Sequence, residues 1–285
     1  MTRKYKLKIA FFGTSQGAVI ALEELKNVGL APSLVITTPD KPKGRKLVLS
    51  PPLAKVWAEK NNVNFVQSEK LDETLLELLR EGAFDLFVVA SYGKLLSNEF
   101  LALPKHGTLN VHPSLLPKLR GPSPIVSAIL EDEKKTGVTI ILLDEGLDSG
   151  PVVAQASIEP EPWPPYAGEL EELLLQEGTK LLIEILPEWV AGKIKPEAQD
   201  ENKATFTKKI KKEDGLIELD GNPYQNLLKI RAFDKWPGAY FFADKQGKKI
   251  RVKITDADLE NDTLKINKVI PEGKKEMDYE DFLRG

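Results

Sequence analysis

Along the first two thirds of the chain, hydrophobic residues come in short unbroken runs separated by amphipathic stretches. The runs LKIAFF (7–12), LVITT (34–38), FDLFVVAS (84–91), TLNVH (108–112), GVTIILLD (137–144) and PVVAQASI (151–158) are rich in Val, Ile, Leu and Phe. Runs of this kind read as strands buried on both faces, because a strand with one wet face alternates apolar with polar positions. Between them, segments 17–27, 54–62, 73–82, 124–130 and 168–186 space their apolar residues as helices do. Strands alternating with helices predict an α/β fold over residues 1–188, a Rossmann-like, mostly parallel sheet covered on both sides.

Beyond that point the pattern changes. Residues 189–204 are polar with little periodicity and read as a linker. GLIEL, GAYFFA, KKIRVKI and TLKINKVI then follow as short β-rich segments punctuated by Gly, Asp and Asn. They predict a small OB-like β-barrel domain over residues 205–285.

Composition narrows the chemistry. A chain of 285 residues with 41% hydrophobic and 29% charged side chains has room for a large domain and a smaller one. No apolar run approaches the roughly 20 residues of a membrane span, and the basic start MTRKYKLKIAFFGT has too short an apolar stretch for a signal peptide. The chain has no cysteine, which excludes disulfides, thiolate nucleophiles and thiolate metal ligands and agrees with a cytoplasmic location. With His106 and His112 as its two histidines, it cannot build a His-rich metal site, so no metal is expected.

A net charge of −3 gives no global sign of a nucleic-acid binder, but two local clusters stand out. Lys41, Lys43, Arg45 and Lys46 crowd a loop broken by Pro42 and Gly44, and Lys203, Lys208, Lys209, Lys211 and Lys212 lie near the domain junction. Such clusters are either solvated surface or contacts to a phosphate backbone. The turn Gly13-Thr14-Ser15-Gln16-Gly17 after the first strand lacks G-x-G-x-x-G spacing. It reads as a tight strand-to-helix turn, which argues against a dinucleotide-dependent oxidoreductase.

Two segments carry candidate chemistry. In TLNVHPSLLPKLRGPSPI (108–125), Asn110 and His112 project from one face of a strand at its C-terminal end, where open α/β sheets bind ligands. Pro113, Pro117, Pro122 and Pro124 restrict the loop that follows. An isolated Asn-x-His is more often inert, and the rigid loop is what raises its interest. LLDEGLDSGPVVAQ (142–155) leaves one buried strand and re-enters another, so Asp144 or Asp148 can return a carboxylate to the same sheet edge. An amide, an imidazole and a carboxylate suit acyl transfer without a covalent nucleophile.

The chain resembles the methionyl-tRNA formyltransferase family along essentially its whole length. IAFFGT (9–14) is similar to that family's opening strand and turn, TTPDKPKGRKL (37–47) to its basic insert and SYGKLL (91–96) to a folate-pocket loop. NVHPSLLPKLRGPSPI and GVTIILLDEGLDSGPVVAQ resemble the segments carrying the catalytic Asn, His and Asp of formyl-folate enzymes. FTKKIKKEDGLIEL (206–219), IRAFDKWPGAYFF (230–242) and PEGKKEMDYEDFLRG (271–285) look like parts of the family's C-terminal domain. The central motifs are shared with glycinamide ribonucleotide and sugar-nucleotide formyltransferases; the basic insert and the C-terminal segments discriminate.

The resemblance implies formyl transfer from 10-formyltetrahydrofolate to the methionine α-amine of charged initiator tRNA, by a monomer that does not engage membranes. It makes Asn110, His112 and Asp148 catalytic, the Leu-Asp-Ser-Gly alignment favouring Asp148 over Asp144. Asn110 and a ring N–H of His112 would donate to the developing oxyanion, each contributing ~3–4 kcal/mol. Asp148 would orient His112, raise its pKa and help move the amine proton. Tyr92, Gly93, Lys94, Leu95, Ser114, Leu115, Leu116, Pro117 and Asp144 would bind the folate, and Lys41, Lys43, Arg45, Lys46, Lys208, Lys209 and Lys211 the tRNA. The competing readings are a formyltransferase for an amino-sugar nucleotide and a non-catalytic RNA-binding protein on the same scaffold. If the first cluster meets tRNA, Arg45→Ala weakens tRNA binding and flattens its salt dependence while folate affinity stays intact; an unchanged salt slope returns the loop to plain solvated surface.

Overall fold

In a computed structural model, which describes residues 7–43, 47–245 and 247–284, the apolar runs become strands of one sheet. The chain first forms β1 (Ile9–Phe12), α1 (Gln16–Asn27), β2 (Leu34–Thr37), a hairpin of β3 (Lys41–Lys43) and β4 (Val48–Ser50), α2 (Leu53–Lys60) and β5 (Asn64–Gln67). It continues through α3 (Glu73–Gly82), β6 (Leu86–Val89), α4 (Asn98–Leu101), β7 (Thr108–His112), α5 (Pro124–Leu130), β8 (Thr136–Leu142), β9 (Val152–Ile158) and α6 (Ala167–Val190).

The seven-stranded sheet has the order β5-β2-β1-β6-β7-β8-β9. Neighbours from β5 to β7 are parallel, and β8 runs antiparallel to β7. Every residue of β1, β2, β6 and β7 is buried, as the apolar runs of the first three require, and β7 carries Thr108, Asn110 and His112 into the interior with them. One face packs Phe12, Ile36, Phe87 and Val89 against Leu75, Leu76 and Leu79 of α3. The chain builds outward from β1 in one direction and then returns through β6 in the other, creating a crevice at the C-terminal ends of these strands.

Gly13 closes that crevice tightly. A Cβ there would lie 2.5 Å from the Phe11 ring, 2.6 Å from Ala18 Cβ and 2.8 Å from the Ala90 carbonyl. The glycine is therefore a packing requirement, and no phosphate cradle is needed to explain it. β5, α4 and the β3–β4 hairpin have no counterpart in the apolar pattern, and the hairpin stands where a basic loop is expected.

The coordinates divide into two compact units, residues 1–120, 137–157 and 172–206 in one and residues 121–136, 158–171 and 207–285 in the other. The sequence-based boundary runs differently, placing 121–136 and 158–171 with the sheet. Asp132 binds three pieces of the second unit together by accepting hydrogen bonds from Trp163 Nε1 (2.6 Å) and Tyr224 Oη (2.7 Å). Residues 191–206 have little regular structure but belong to the first unit, where Val152 and Glu197 exchange backbone hydrogen bonds of 2.7 and 2.8 Å.

The second unit adds α7 (Pro223–Ala232), β10 (Tyr240–Lys245), β11 (Lys248–Glu260), β12 (Thr263–Pro271), β13 (Met277–Asp278) and α8 (Tyr279–Arg284). Its four strands form an antiparallel sheet in sequence order. Among the described residues no ladder joins β10 to β13, so the expected β-rich domain is an open sheet. Phe241, Val252, Ile254, Val269 and Phe282 fill its core. GLIEL contributes an isolated bridge from Leu216 to Tyr240 in place of a strand.

Gly13→Ala should destabilise the fold by about 1–3 kcal/mol, because two of the three clashing groups are backbone or short side chain and cannot swing away. A urea denaturation midpoint equal to that of the parent protein would contradict this packing account.

Candidate active site

β7 places two polar side chains at the end of a buried strand. Asn110 sits opposite Val89 of β6 and Ile141 of β8, and His112 opposite Thr139, so both project from the same face. Asn110 is 8% exposed and His112 only 4%. Among the described residues the Asn110 amide has no hydrogen-bond partner, which suits it to a polar ligand.

The backbone fixes the histidine. His112 Nε2 lies 3.2 Å from the carbonyl oxygen of Leu119, a residue in the left-handed region at φ 61°. A carbonyl can only accept, so Nε2 carries the proton and Nδ1 of the neutral ring keeps its lone pair. Nδ1 faces Asp148 Oδ2 at 3.7 Å. That is too long for a good hydrogen bond but close enough for strong attraction once the ring is charged.

Burial pushes the His112 pKa below its usual 6.5, while Asp148 and the Leu119 carbonyl pull it back upward. The ring is therefore neutral at physiological pH. An unfolded chain binds the proton that the native site resists, so this group's contribution to stability is fully present above pH 6.5 and is lost as the pH falls below it.

Asp148 owes its position to the loop between β8 and β9. Asp144 Oδ1 accepts from Gly146 N (3.0 Å) and Ser149 Oγ (2.9 Å), so the first carboxylate shapes the loop. Asp148 has φ 50°, a conformation that costs a non-glycine residue about 1–2 kcal/mol. It persists because surrounding groups over-determine it. Gln199 Nε2 donates to the carbonyls of Asp148 (2.8 Å) and Gly150 (2.7 Å).

The loop after β7 is braced from β8 and β9. Thr139 Oγ1 donates to the Ser114 carbonyl (2.7 Å) and accepts from Leu116 N (3.1 Å) and Gln155 Nε2 (2.8 Å). Gln155 Nε2 also reaches the Leu116 carbonyl at 2.9 Å, and Ser114 Oγ donates to the Lys118 carbonyl at 2.7 Å. Ser114, Leu115, Leu116 and Pro117 are consequently held in one backbone shape.

The turn after β6 has Ser91 and Gly93 in the left-handed region, at φ 50° and 74°. Tyr92 is buried edge-on against Phe12, and burial pushes its pKa up to about 12. Its hydroxyl has no partner among the described residues. Lys94 Nζ donates to the Ser68 and Glu69 carbonyls at 2.7 Å each, and Leu95 is exposed.

The structure brings Asn110, His112, Asp148 and the 114–117 loop into one unit, together with the Tyr92–Leu95 turn. The candidate phosphate-binding cations divide between units. Lys41 is exposed in β3, which carries Lys43 in its backbone, while Arg45 and Lys46 lie outside the described residues. Exposed Lys208, Lys209 and Lys211 belong to the second unit. Sequence reasoning missed Leu119, Gln199, Thr139 and Gln155. Thr139 had a legible signal, a polar residue inside a buried strand, whereas Gln155 lies at an exposed position of the partly buried β9 and Gln199 in a stretch with no periodicity at all.

Residues 7–186 match the family model described as formyl transferase, and residues 209–265 match the formyl transferase C-terminal domain. A methionyl-tRNA formyltransferase of Chloroflexus aurantiacus is 44% identical over 237 residues, covering 83% of this chain and 76% of that protein. The Bacillus subtilis methionyl-tRNA formyltransferase is 37% identical over 301 residues, covering 98% and 94%. Among solved structures, an N-formyltransferase from Helicobacter canadensis in complex with folinic acid and dTDP-3-aminofucose shares the fold. It is 20% identical, with a TM-score of 0.60, and the match covers 91% of this chain and 98% of that one. Among the described residues no group of three or more His, Cys, Asp or Glu side chains is placed to hold a metal ion.

With His106 and His112 as the only histidines, ring NMR reads the site directly. The His112 titration midpoint should lie below 6.5, and Asp148→Asn should lower it further by removing the attraction that favours the charged ring. A midpoint that Asp148→Asn leaves in place would break the assigned contact.

Proposed function

The chain belongs to the methionyl-tRNA formyltransferase family, and we propose that Asn110, His112 and Asp148 are the groups through which it moves a formyl group from 10-formyltetrahydrofolate to the methionine α-amine of charged initiator tRNA. The observation that carries the residue assignment is the buried His112 ring, with one nitrogen bound to Leu119 and the other turned to Asp148.

The formyl-folate supplies an electrophilic formyl carbon. Two groups of the first unit suit such a ligand: among the described residues, the Asn110 amide and the buried Tyr92 hydroxyl have no hydrogen-bond partner. The braced Ser114–Pro117 backbone and the 92–95 turn are the remaining groups we assign to the folate, with Lys94 engaged by the Ser68 and Glu69 carbonyls and Asp144 by its own loop. These two polar residues bear on the folate through the backbone they hold.

Asn110 donates an N–H to the formyl oxygen, where negative charge builds as the amine adds. His112 Nδ1, unprotonated in the resting ring, accepts the proton that the amine loses. The resulting imidazolium is stabilised by Asp148; as the tetrahedral intermediate collapses, the C=O bond re-forms, the bond from the formyl carbon to the folate nitrogen breaks, and the ring's proton passes to that nitrogen, so tetrahydrofolate leaves and His112 is neutral again. This order refines the sequence-based expectation that a ring N–H is available from the start. The Nε2 proton is already used by Leu119, and Nδ1 gains one only during the reaction.

A tRNA acceptor fits the cytoplasmic location expected from the sequence. Lys41, Lys43, Arg45, Lys46, Lys208, Lys209 and Lys211 are assigned to its phosphates. The exposed side chains of Lys41, Lys208, Lys209 and Lys211 support that assignment. An amino-sugar nucleotide remains the second reading, because sugar formyltransferases share this fold.

His112→Ala should lower turnover by at least about 100-fold while the protein stays folded. Labelled formyl transfer offered charged initiator tRNA, charged elongator tRNA and an amino-sugar nucleotide should label the initiator tRNA; preferential labelling of the sugar nucleotide would replace the proposed acceptor.

A further inference from the structure

The His112–Asp148 contact joins two loops, and the groups that tie those loops together lie in a segment no motif pointed to. Gln199 is the hub. Its Nε2 donates to the carbonyls of Asp148 and Gly150, at 2.8 and 2.7 Å. Its Oε1 accepts from Arg120 Nε (3.0 Å) and the Arg120 Nη2 group (2.9 Å). Carbonyls only accept and a guanidinium only donates, so the orientation of the Gln199 amide is fixed on both sides.

Arg120 is only 2% exposed, and its guanidinium also holds Glu201 through bonds of 2.9 and 2.8 Å. Those bonds keep the Glu201 carboxyl below the usual carboxylate range. Arg120 directly follows Leu119, whose carbonyl binds His112 Nε2. The pair Leu119-Arg120 is itself pinned by Thr205, whose hydroxyl accepts from Leu119 N at 2.8 Å and whose carbonyl accepts from Arg120 N at 2.9 Å. A continuous set of hydrogen bonds therefore runs from the partner of His112, through Arg120 and Gln199, to the backbone of Asp148. Every residue in it belongs to the first unit.

We propose that Gln199, oriented by Arg120, is a positioning residue for formyl transfer: it holds Asp148 in its left-handed conformation and so sets the distance between the carboxylate and His112 Nδ1. The inference rests on the catalytic reading of His112 and Asp148 given above. Gln199 acts through the loop backbone, by its bonds to the Asp148 and Gly150 carbonyls.

The test is a mutant cycle on the full-length protein. Gln199→Leu removes all the amide's hydrogen bonds. Gln199→Glu keeps an acceptor for Arg120 and removes the two donors to the loop. Both should reduce kcat by about 10–100-fold with the KM for formyl-folate within about twofold, as misplacement of a catalytic group does. Both should also shift the His112 ring titration downward, toward the value of Asp148→Asn, a readout that a merely stabilising residue would leave alone. In an Asp148→Asn background, Gln199→Glu should cause little further loss of kcat.

Full turnover with an unmoved His112 titration in Gln199→Glu would overturn the proposal, as would a loss that simply multiplies with that of Asp148→Asn. If His112→Ala and Asp148→Asn themselves retain full turnover, the catalytic reading fails instead. Should Gln199→Leu not fold, Gln199→Glu and Glu201→Ala, the latter at a largely exposed position that steadies Arg120, ask the same question. Glu201→Ala should reproduce part of the loss in kcat.

Discussion

One hydrogen bond governs the chemistry available to this protein: the imidazole of His112 gives its Nε2 proton to the Leu119 carbonyl in a place nearly sealed from water. A ring bound in that way has a single reactive nitrogen, and burial keeps that nitrogen unprotonated. Asp148 can then reside 3.7 Å away without completing a full ion pair in the resting state. Its attraction is felt most when a proton arrives. In the function we propose, such a ring takes a proton from the attacking amine, and Asp148 favours the charged state that results.

The fold supplies the conditions for that bond. Parallel strands β1, β6 and β7 end together beside the switch in strand order, and β7 is buried along its whole length. Any polar side chain carried to its end leaves water behind. The backbone around it is accordingly braced by polar residues within otherwise apolar strands, Thr139 on β8 and Gln155 on β9. Left-handed backbone at Ser91, Leu119 and Asp148 recurs in the three loops we assign to the site, where ordinary strand or helix geometry would point the groups elsewhere.

Much of this was legible in the sequence. The apolar runs identify β1, β2, β6 and β8, because burial on both faces favours few polar positions, while β7 alternates Leu109 and Val111 with Thr108, Asn110 and His112. Asn110 and His112 are found from period-two spacing at a strand end. β5, by contrast, is a partly exposed edge strand with the unremarkable sequence Asn-Phe-Val-Gln, and nothing apolar announces it. α7 was missed although Asn222-Pro223 is a good helix start, with the Asn222 side chain accepting from Gln225 N. The sequence pattern divides the chain near residue 188, as the matched family ranges 7–186 and 209–265 do; the spatial grouping of segments 121–136 and 158–171 with later residues, through contacts such as Tyr224 to Asp132, is a matter of tertiary contact that a linear pattern does not encode. Gln199 was invisible for a related reason: its value lies in four hydrogen bonds to residues far along the chain, and a local pattern cannot encode them.

The protonation state of one ring nitrogen carries the account. Long-range 1H–15N NMR on the imidazole rings at neutral pH distinguishes the two neutral tautomers of His112, with His106 as the only other signal set. The account predicts a protonated Nε2 and an unprotonated Nδ1. A proton found on Nδ1 in the resting protein would contradict it, because that nitrogen could then no longer receive the proton of the amine.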